Sequence, residues 1–225
     1  MADKLWIQIE PLGKFSEAIR AARESLFSHL KDEPHPIVVL CAPHRGDGAS
    51  TITANLAASI AHLGKKVLLI DSDLTGDGLT QFLSPDSKST FTNAMESGNI
   101  APVPTKIENL DFLASGSATT GKHPFDSPNL QAVFEKLKNR YDMILIDTSP
   151  ILESSDAVVL GQKSSGVVLV FMTGNYLRED EISSREILER SGVRIIGAIM
   201  NCTREDKSDP YYTYQRFLEL REYES

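Results

Sequence analysis

Long apolar runs are missing from this chain. The longest, near residues 37–42 and 167–172, fall far short of the ~20 residues a bilayer-spanning helix needs. The start, Met1-Ala2-Asp3-Lys4, leads into no secretory apolar segment. Cysteine is scarce: Cys41 and Cys202 both lie in apolar, strand-like runs. They read as small core residues of a reducing compartment, and a disulfide framework is excluded. The five histidines show no ligand-like spacing, which leaves no case for a structural metal. Positive charge is in deficit, 23 Lys and Arg against 31 Asp and Glu for a net charge of −8, which argues against nucleic acid as the main partner. No repeat, low-complexity tract or interior linker is visible. What remains is 225 residues, 41% of them hydrophobic, enough for one α/β domain with a real core. The expected location is cytoplasmic.

Apolar positions Phe15, Ile19, Ala22, Leu26 and Leu30 recur at helical spacing and predict an amphipathic helix over 13–30. Aliphatic runs predict strands at Ile37–Leu40, Lys66–Ile70, Leu110–Ala114, Met143–Ile146, Gly166–Met172 and Arg194–Asn201. Helical patterns over 53–63, 128–140 and 179–191 separate them, and the segment from 71 to about 108 is mixed. Aliphatic strands alternating with helices predict an α/β fold, a doubly wound, mostly parallel sheet covered on both faces. Three parts follow: an N-terminal helical segment (1–36), an α/β core (37–203) and a tyrosine-rich tail (204–225).

Between the first strand and the next helix lies His44-Arg45-Gly46-Asp47-Gly48-Ala49-Ser50-Thr51. Strand, glycine loop and helix N-terminus in that order make a phosphate-binding loop, whose backbone N–H groups close around phosphate oxygens. The lysine that ordinarily precedes the Ser/Thr and reaches the β- and γ-phosphates is absent; Ala49 stands there. Two further strands end in acid: Ile70-Asp71-Ser72-Asp73 and Ile146-Asp147-Thr148-Ser149-Pro150. Carboxylates at the ligand-binding edge of an open α/β sheet suit Mg²⁺, which uses one or two of them together with substrate phosphates. Ser50 is the expected hydroxyl ligand and Asp73 and Asp147 the expected carboxylates, with Asp71 as base for a hydroxyl or water nucleophile.

With these motifs the chain resembles, over essentially its whole length, the bacterial tyrosine kinases (BY-kinases) of capsule and exopolysaccharide synthesis, within the ParA/MinD group of P-loop NTPases. Residues 46–51 sit where that family has Gly-Glu-Gly-Lys-Ser-Thr. Residues 70–75 resemble its second acidic motif, and Asp147-Thr148-Ser149-Pro150 its Walker B form. The resemblance implies ATP or ADP with Mg²⁺, held by residues Arg45 to Thr51. It also implies an adenine contact from Asn201. Glu17, Arg20 and Arg23 fit its Glu-x-x-Arg-x-x-Arg motif, which implies a ring-like homo-oligomer. On pattern alone an intrahelical Glu17–Arg20 pair accounts for two of those charges. Tyr211, Tyr212, Tyr214 and Tyr223, four of the six tyrosines, resemble the family's autophosphorylated cluster. A terminal helix packing Phe217, Leu218 and Leu220 on the domain is the alternative, and both readings can hold.

Three departures from the family pattern converge on one site: Ala49 for the lysine, Arg45 for the proline before the first glycine, and Thr75 for the arginine of the second acidic motif. A charged hydrogen bond to phosphate contributes ~1.5–3 kcal/mol, so losing one weakens binding by about one to two powers of ten and turnover by more. The expectation is a nucleotide-binding, weakened or inactive tyrosine-kinase-like protein regulating polysaccharide synthesis or export. It would be recruited to the inner face of the cell membrane by the cytoplasmic tail of a chain-length or co-polymerase protein. The alternatives are an active autokinase acting on its own tail and a ParA/MinD-type partitioning ATPase. The latter wants a basic amphipathic end or a DNA-binding face, and the acidic end at 219–224 offers neither.

Overall fold

The computed structural model describes residues 5, 8, 10–74, 79–83, 89–117, 123–173 and 178–201. Thr75, Cys202 and the four tail tyrosines lie outside the described residues. The elements run α1 (Lys14–His29), β1 (Ile37–Cys41), α2 (Ala49–Ala61), β2 (Val67–Asp71), α3 (Leu79–Leu83), α4 (Phe91–Ser97), β3 (Val103–Pro104) and β4 (Leu110–Leu113). After a 3-10 turn (Pro124–Asp126) come α5 (Leu130–Lys138), β5 (Met143–Asp147), α6 (Asp156–Gly161), β6 (Gly166–Met172), α7 (Arg178–Arg190) and β7 (Ile195–Asn201).

The strands form one seven-stranded sheet in the order β3-β4-β2-β5-β1-β6-β7. Every pairing is parallel except β3 with β4. That antiparallel edge, the short helices α3 and α4, and α6 are absent from the sequence pattern because each is shorter than the window in which a period can be counted. The helix expected to begin at Thr53 begins at Ala49, and the strand expected through Ala114 stops at Leu113. Ala114 instead makes an isolated bridge to Thr90.

Side chains alternate across the sheet with the period of two that a strand imposes. Val38 and Leu40 of β1 join a core shared with Ile19 and Leu26 of α1 and Ile52, Leu56 and Ile60 of α2. Ile37, Val39 and Cys41 face the opposite core, built on Phe91, Phe134, Leu160 and Leu188. Helix α2 is buried on nearly every side, lying between the sheet and α1, so alanine and serine let neighbours approach it closely. Helix α5 shows one apolar stripe, Leu130, Val133, Phe134 and Leu137, and its Phe134 ring lies 6.4 Å from that of Phe91.

Cys41 closes β1 with no exposure to solvent. Burial, with the nearby Asp147 charge adding to it, pushes its thiol up to about 12, so the reactive thiolate is suppressed. In a Cys202→Ser background, a thiol-specific reagent at pH 8 is expected to find no fast-reacting group in the native protein and one after denaturation. Rapid native labelling would contradict the buried strand end.

Candidate functional site

Adjacent strands β2, β5 and β1 end at the same edge of the sheet. Asp71 is in register with Asp147, and Asp147 with Leu40, so the two acidic strand ends and the loop after β1 converge by backbone geometry alone. That loop turns through Gly46 (φ 87°) and Gly48 (φ 90°), the left-handed region that a side chain disfavours. At Gly48 a Cβ would also meet the Asn201 amide, so a side chain there would have to displace the bond that Asn201 makes to the loop.

Helix α2 starts at Gly48 with no side chain capping it and no acidic residue in its first turn. Its leading N–H groups therefore carry the positive end of the helix dipole with no carboxylate of the helix's own first turn to neutralise it. Asp47, the residue between the glycines, turns its side chain into the protein. It is wholly buried, and its Oδ2 accepts from the His44 backbone N–H at 3.0 Å. What Asp47 offers a phosphate is its backbone. Asn201 Nδ2 donates to the Asp47 carbonyl at 2.9 Å, which ties the end of β7 to the loop. His44 Nε2 bonds Asp180 Oδ2 of α7 at 3.1 Å and fastens the loop on its other side.

The three expected carboxylates have different surroundings. Both oxygens of Asp71 have donors: Oδ1 accepts from the Asp73 N–H at 2.9 Å, and Oδ2 from the N–H and hydroxyl of Thr80 at 2.8 and 2.7 Å. Burial raises its pKa and those hydrogen bonds pull it back. Oδ1, with a single donor, keeps the acceptor capacity that a base would use. Asp73 accepts from Arg45 Nη1 at 2.9 Å and from the Ser149 hydroxyl at 3.1 Å. Asp147 is 1% exposed, and neither of its oxygens has a hydrogen-bond partner.

Burial holds the Asp147 pKa well above the ordinary carboxylate range, and the charges of Asp71 and Asp73 raise it further. The Ser50 and Thr53 hydroxyls are close enough to soften that rise without either bonding it in ordinary geometry. A buried carboxylate without a donor is costly unless something compensates it. A hard cation does so, and Mg²⁺ is a good match for an oxygen donor set of Ser50, Asp147 and phosphate. Among the described residues no group of three or more His, Cys, Asp or Glu is arranged to hold a metal by itself, so a cation here would lean on phosphate oxygens.

Arg45 reaches over the loop to Asp73, and its Nε lies 3.3 Å from Glu153 Oε2. Ala49, at the lysine position, is 9% exposed at the start of α2. Thr80, Ser149, Glu153 and Asp180 were not expected as site residues. Ser149 carried a signal, being part of Asp-Thr-Ser-Pro; the others sit at no motif spacing. On α1, Glu17 and Arg20 pair with each other at 2.6 Å, and Arg20 also donates to the Pro11 carbonyl at 2.7 Å. Arg23 donates to the Ser59 carbonyl of α2 at 3.1 Å and to Glu24.

A family model described as an AAA domain matches residues 36–179. The tyrosine-protein kinase YwqD of Bacillus subtilis is 32% identical over 91% of this chain and 88% of its own length. The kinase domain of the Escherichia coli tyrosine kinase ETK superimposes with a TM-score of 0.82 at 25% identity, covering 91% of this chain and 82% of that one. The septum site-determining protein MinD of Pyrococcus horikoshii, solved with Mg-ADP, aligns with a TM-score of 0.62 at 26% identity, covering 80% and 76%.

A folded-state pKa raised at Asp147 means that the native state holds this proton more tightly than the unfolded chain does. Stability then falls as pH rises from the ordinary carboxylate value toward the raised one. Without nucleotide or divalent cation, Asp147→Asn is expected to be more stable than the wild-type protein at pH 7. The gain should vanish near pH 3.5. Denaturation of both proteins across that range measures it, and a variant less stable at pH 7 would refute the assignment.

Proposed function

The chain belongs to the bacterial tyrosine-kinase family of ParA/MinD-type P-loop proteins, and from that premise we propose that it binds ATP or ADP with Mg²⁺ and serves polysaccharide synthesis or export with weakened or absent phosphoryl transfer. The observation that carries this reading is the buried, unpartnered Asp147 carboxylate in register with Asp71, at the edge where an uncapped α2 begins. Backbone N–H groups of residues 46–51 would hold the phosphates. Ser50 would supply a hydroxyl to the cation, with Asp147 and Asp73 as direct or water-mediated carboxylates. When bound, Mg²⁺ would supply charge neutralisation between phosphate oxygens.

Ala49 offers no charge to the γ-phosphoryl group as it transfers, where one hydrogen-bond donor can change rate by ~10²–10³. That is the physical reason for placing the chain nearer a regulatory pseudokinase than an active enzyme. In the same reading residues 1–36 serve self-association, 37–203 hold the nucleotide, and 204–225 carry the tyrosines that an active relative would modify. Recruitment to the inner membrane face would come through the cytoplasmic tail of a polysaccharide co-polymerase. Among the described residues no helix is long and apolar enough to cross a membrane.

Incubating the purified protein with Mg-ATP and mapping Tyr211, Tyr212, Tyr214 and Tyr223 by mass spectrometry tests the catalytic half. The expected result is nucleotide binding with little or no tail phosphate. Stoichiometric phosphotyrosine, lost in an Asp71→Asn, Asp73→Asn variant, would instead establish an active autokinase. Self-association is tested separately by light scattering. Replacing Glu17, Arg20 and Arg23 with alanine should lower the mass of an assembled species to that of the monomer, and an unchanged mass would leave those charges to their contacts within the chain.

A further inference from the structure

Arg45 puts a positive charge at a loop position where the ordinary phosphate-loop motif specifies no residue. It is one residue before Gly46, within the loop itself. Its guanidinium is held on the protein's own carboxylates: Nη1 and Nη2 on the two oxygens of Asp73, at 2.9 and 3.5 Å, and Nε on Glu153 at 3.3 Å. Its side chain is 44% exposed while that of Asp73 is 9% exposed, so the cation sits at the solvent side of the loop over a buried acid. Asp73 also accepts from Ser149 and would not be stripped of donors if Arg45 left.

We propose that Arg45 supplies the phosphate-facing charge missing at Ala49, and does so by exchange between the Asp73–Glu153 pair and the nucleotide's terminal phosphates. The inference rests on the nucleotide-binding reading of the site and deepens it. Taking the guanidinium from a nearly buried acid is costly unless something replaces it; here the Ser149 hydroxyl stays on Asp73 and the nucleotide's cation would bring the compensating charge. A guanidinium donating two parallel N–H bonds to a phosphate is among the strong ones, and its planar fork suits that anion better than an ammonium does. The exchange therefore runs toward the nucleotide. It also frees Asp73 as the cation arrives, so one side chain couples phosphate binding to the exposure of a metal-facing carboxylate. An arginine reaching the phosphates from before the first glycine approaches from a different direction than a lysine at the start of α2. It can hold ground-state charge without being aligned on the transferring group, which fits a protein that binds better than it catalyses.

Calorimetric titration with Mg-ADP, with adenosine as the phosphate-free comparison, tests this on folded wild type, Arg45→Ala, Ala49→Lys and the double variant. Arg45→Gln replaces the alanine variant if that one fails to unfold cooperatively. The expected result is an affinity for Mg-ADP about tenfold or more weaker in Arg45→Ala, with adenosine binding unchanged and with recovery in the double variant. Asp73→Asn, which removes the competing carboxylate, should tighten ADP binding in the presence of EDTA. Equal or tighter Mg-ADP binding by Arg45→Ala overturns the exchange and leaves the nucleotide site standing. Binding by Ala49→Lys but not by wild type does the same, since Arg45 would then not compensate. If neither wild type nor Ala49→Lys binds at millimolar ligand, the nucleotide site itself falls and the exchange falls with it.

Discussion

A carboxylate held in the interior without a hydrogen-bond donor has to be neutralised by a proton or by a cation, and Asp147 puts the protein in that position. The arrangement follows from the sheet. β5 lies between β2 and β1, so its C-terminal residue is walled by both neighbours and covered by α2. The same burial that raises the pKa of Asp147 suppresses the Cys41 thiolate on the next strand. Other acids of the site escape the predicament by finding donors: Thr80 for Asp71, Arg45 and Ser149 for Asp73. Asp147 is left as the place where a ligand-borne cation gains most.

Around that acid the loop is held rigidly from outside. Asn201 from the far strand β7 and Asp180 from α7 both bond the loop between β1 and α2. Gly48 lies against the Asn201 amide, so a side chain there would push that amide off the loop. Preorganised backbone N–H groups require no rearrangement when an anion arrives, which is the condition under which they bind most effectively. In the proposed reading, this scaffold with Ala49 in place of a lysine would grip a nucleotide better than it would react with it.

Most of the architecture was legible because the aliphatic strands and their intervening helices are long enough to show a period. Gly166–Met172 was read to the residue, and α1 and α7 to within one residue at each end. The short elements between Asp71 and Leu110 were not legible, since five- and seven-residue helices carry no countable repeat. At the site the loop and the acidic strand ends could be read from motif order. Thr80 and Glu153 could not, because neither stands at a motif spacing from the residues it meets.

Residue order alone determined that this is a P-loop protein of parallel α/β design, that its lysine position is Ala49, and that acids close two strands. Those are properties of local pattern, set by strand and helix periodicity and by the conformations glycine permits. Only the tertiary structure decided which acid is satisfied and which is bare, that Asp47 faces inward, and that Arg45 rests on Asp73 and Glu153. The Arg45 contacts join groups far apart in the chain at distances near 3 Å, and even the local turn that aims Asp47 inward is buried only by the packed fold. The energy of a charge is set by what surrounds it, and those surroundings exist only once the chain has folded.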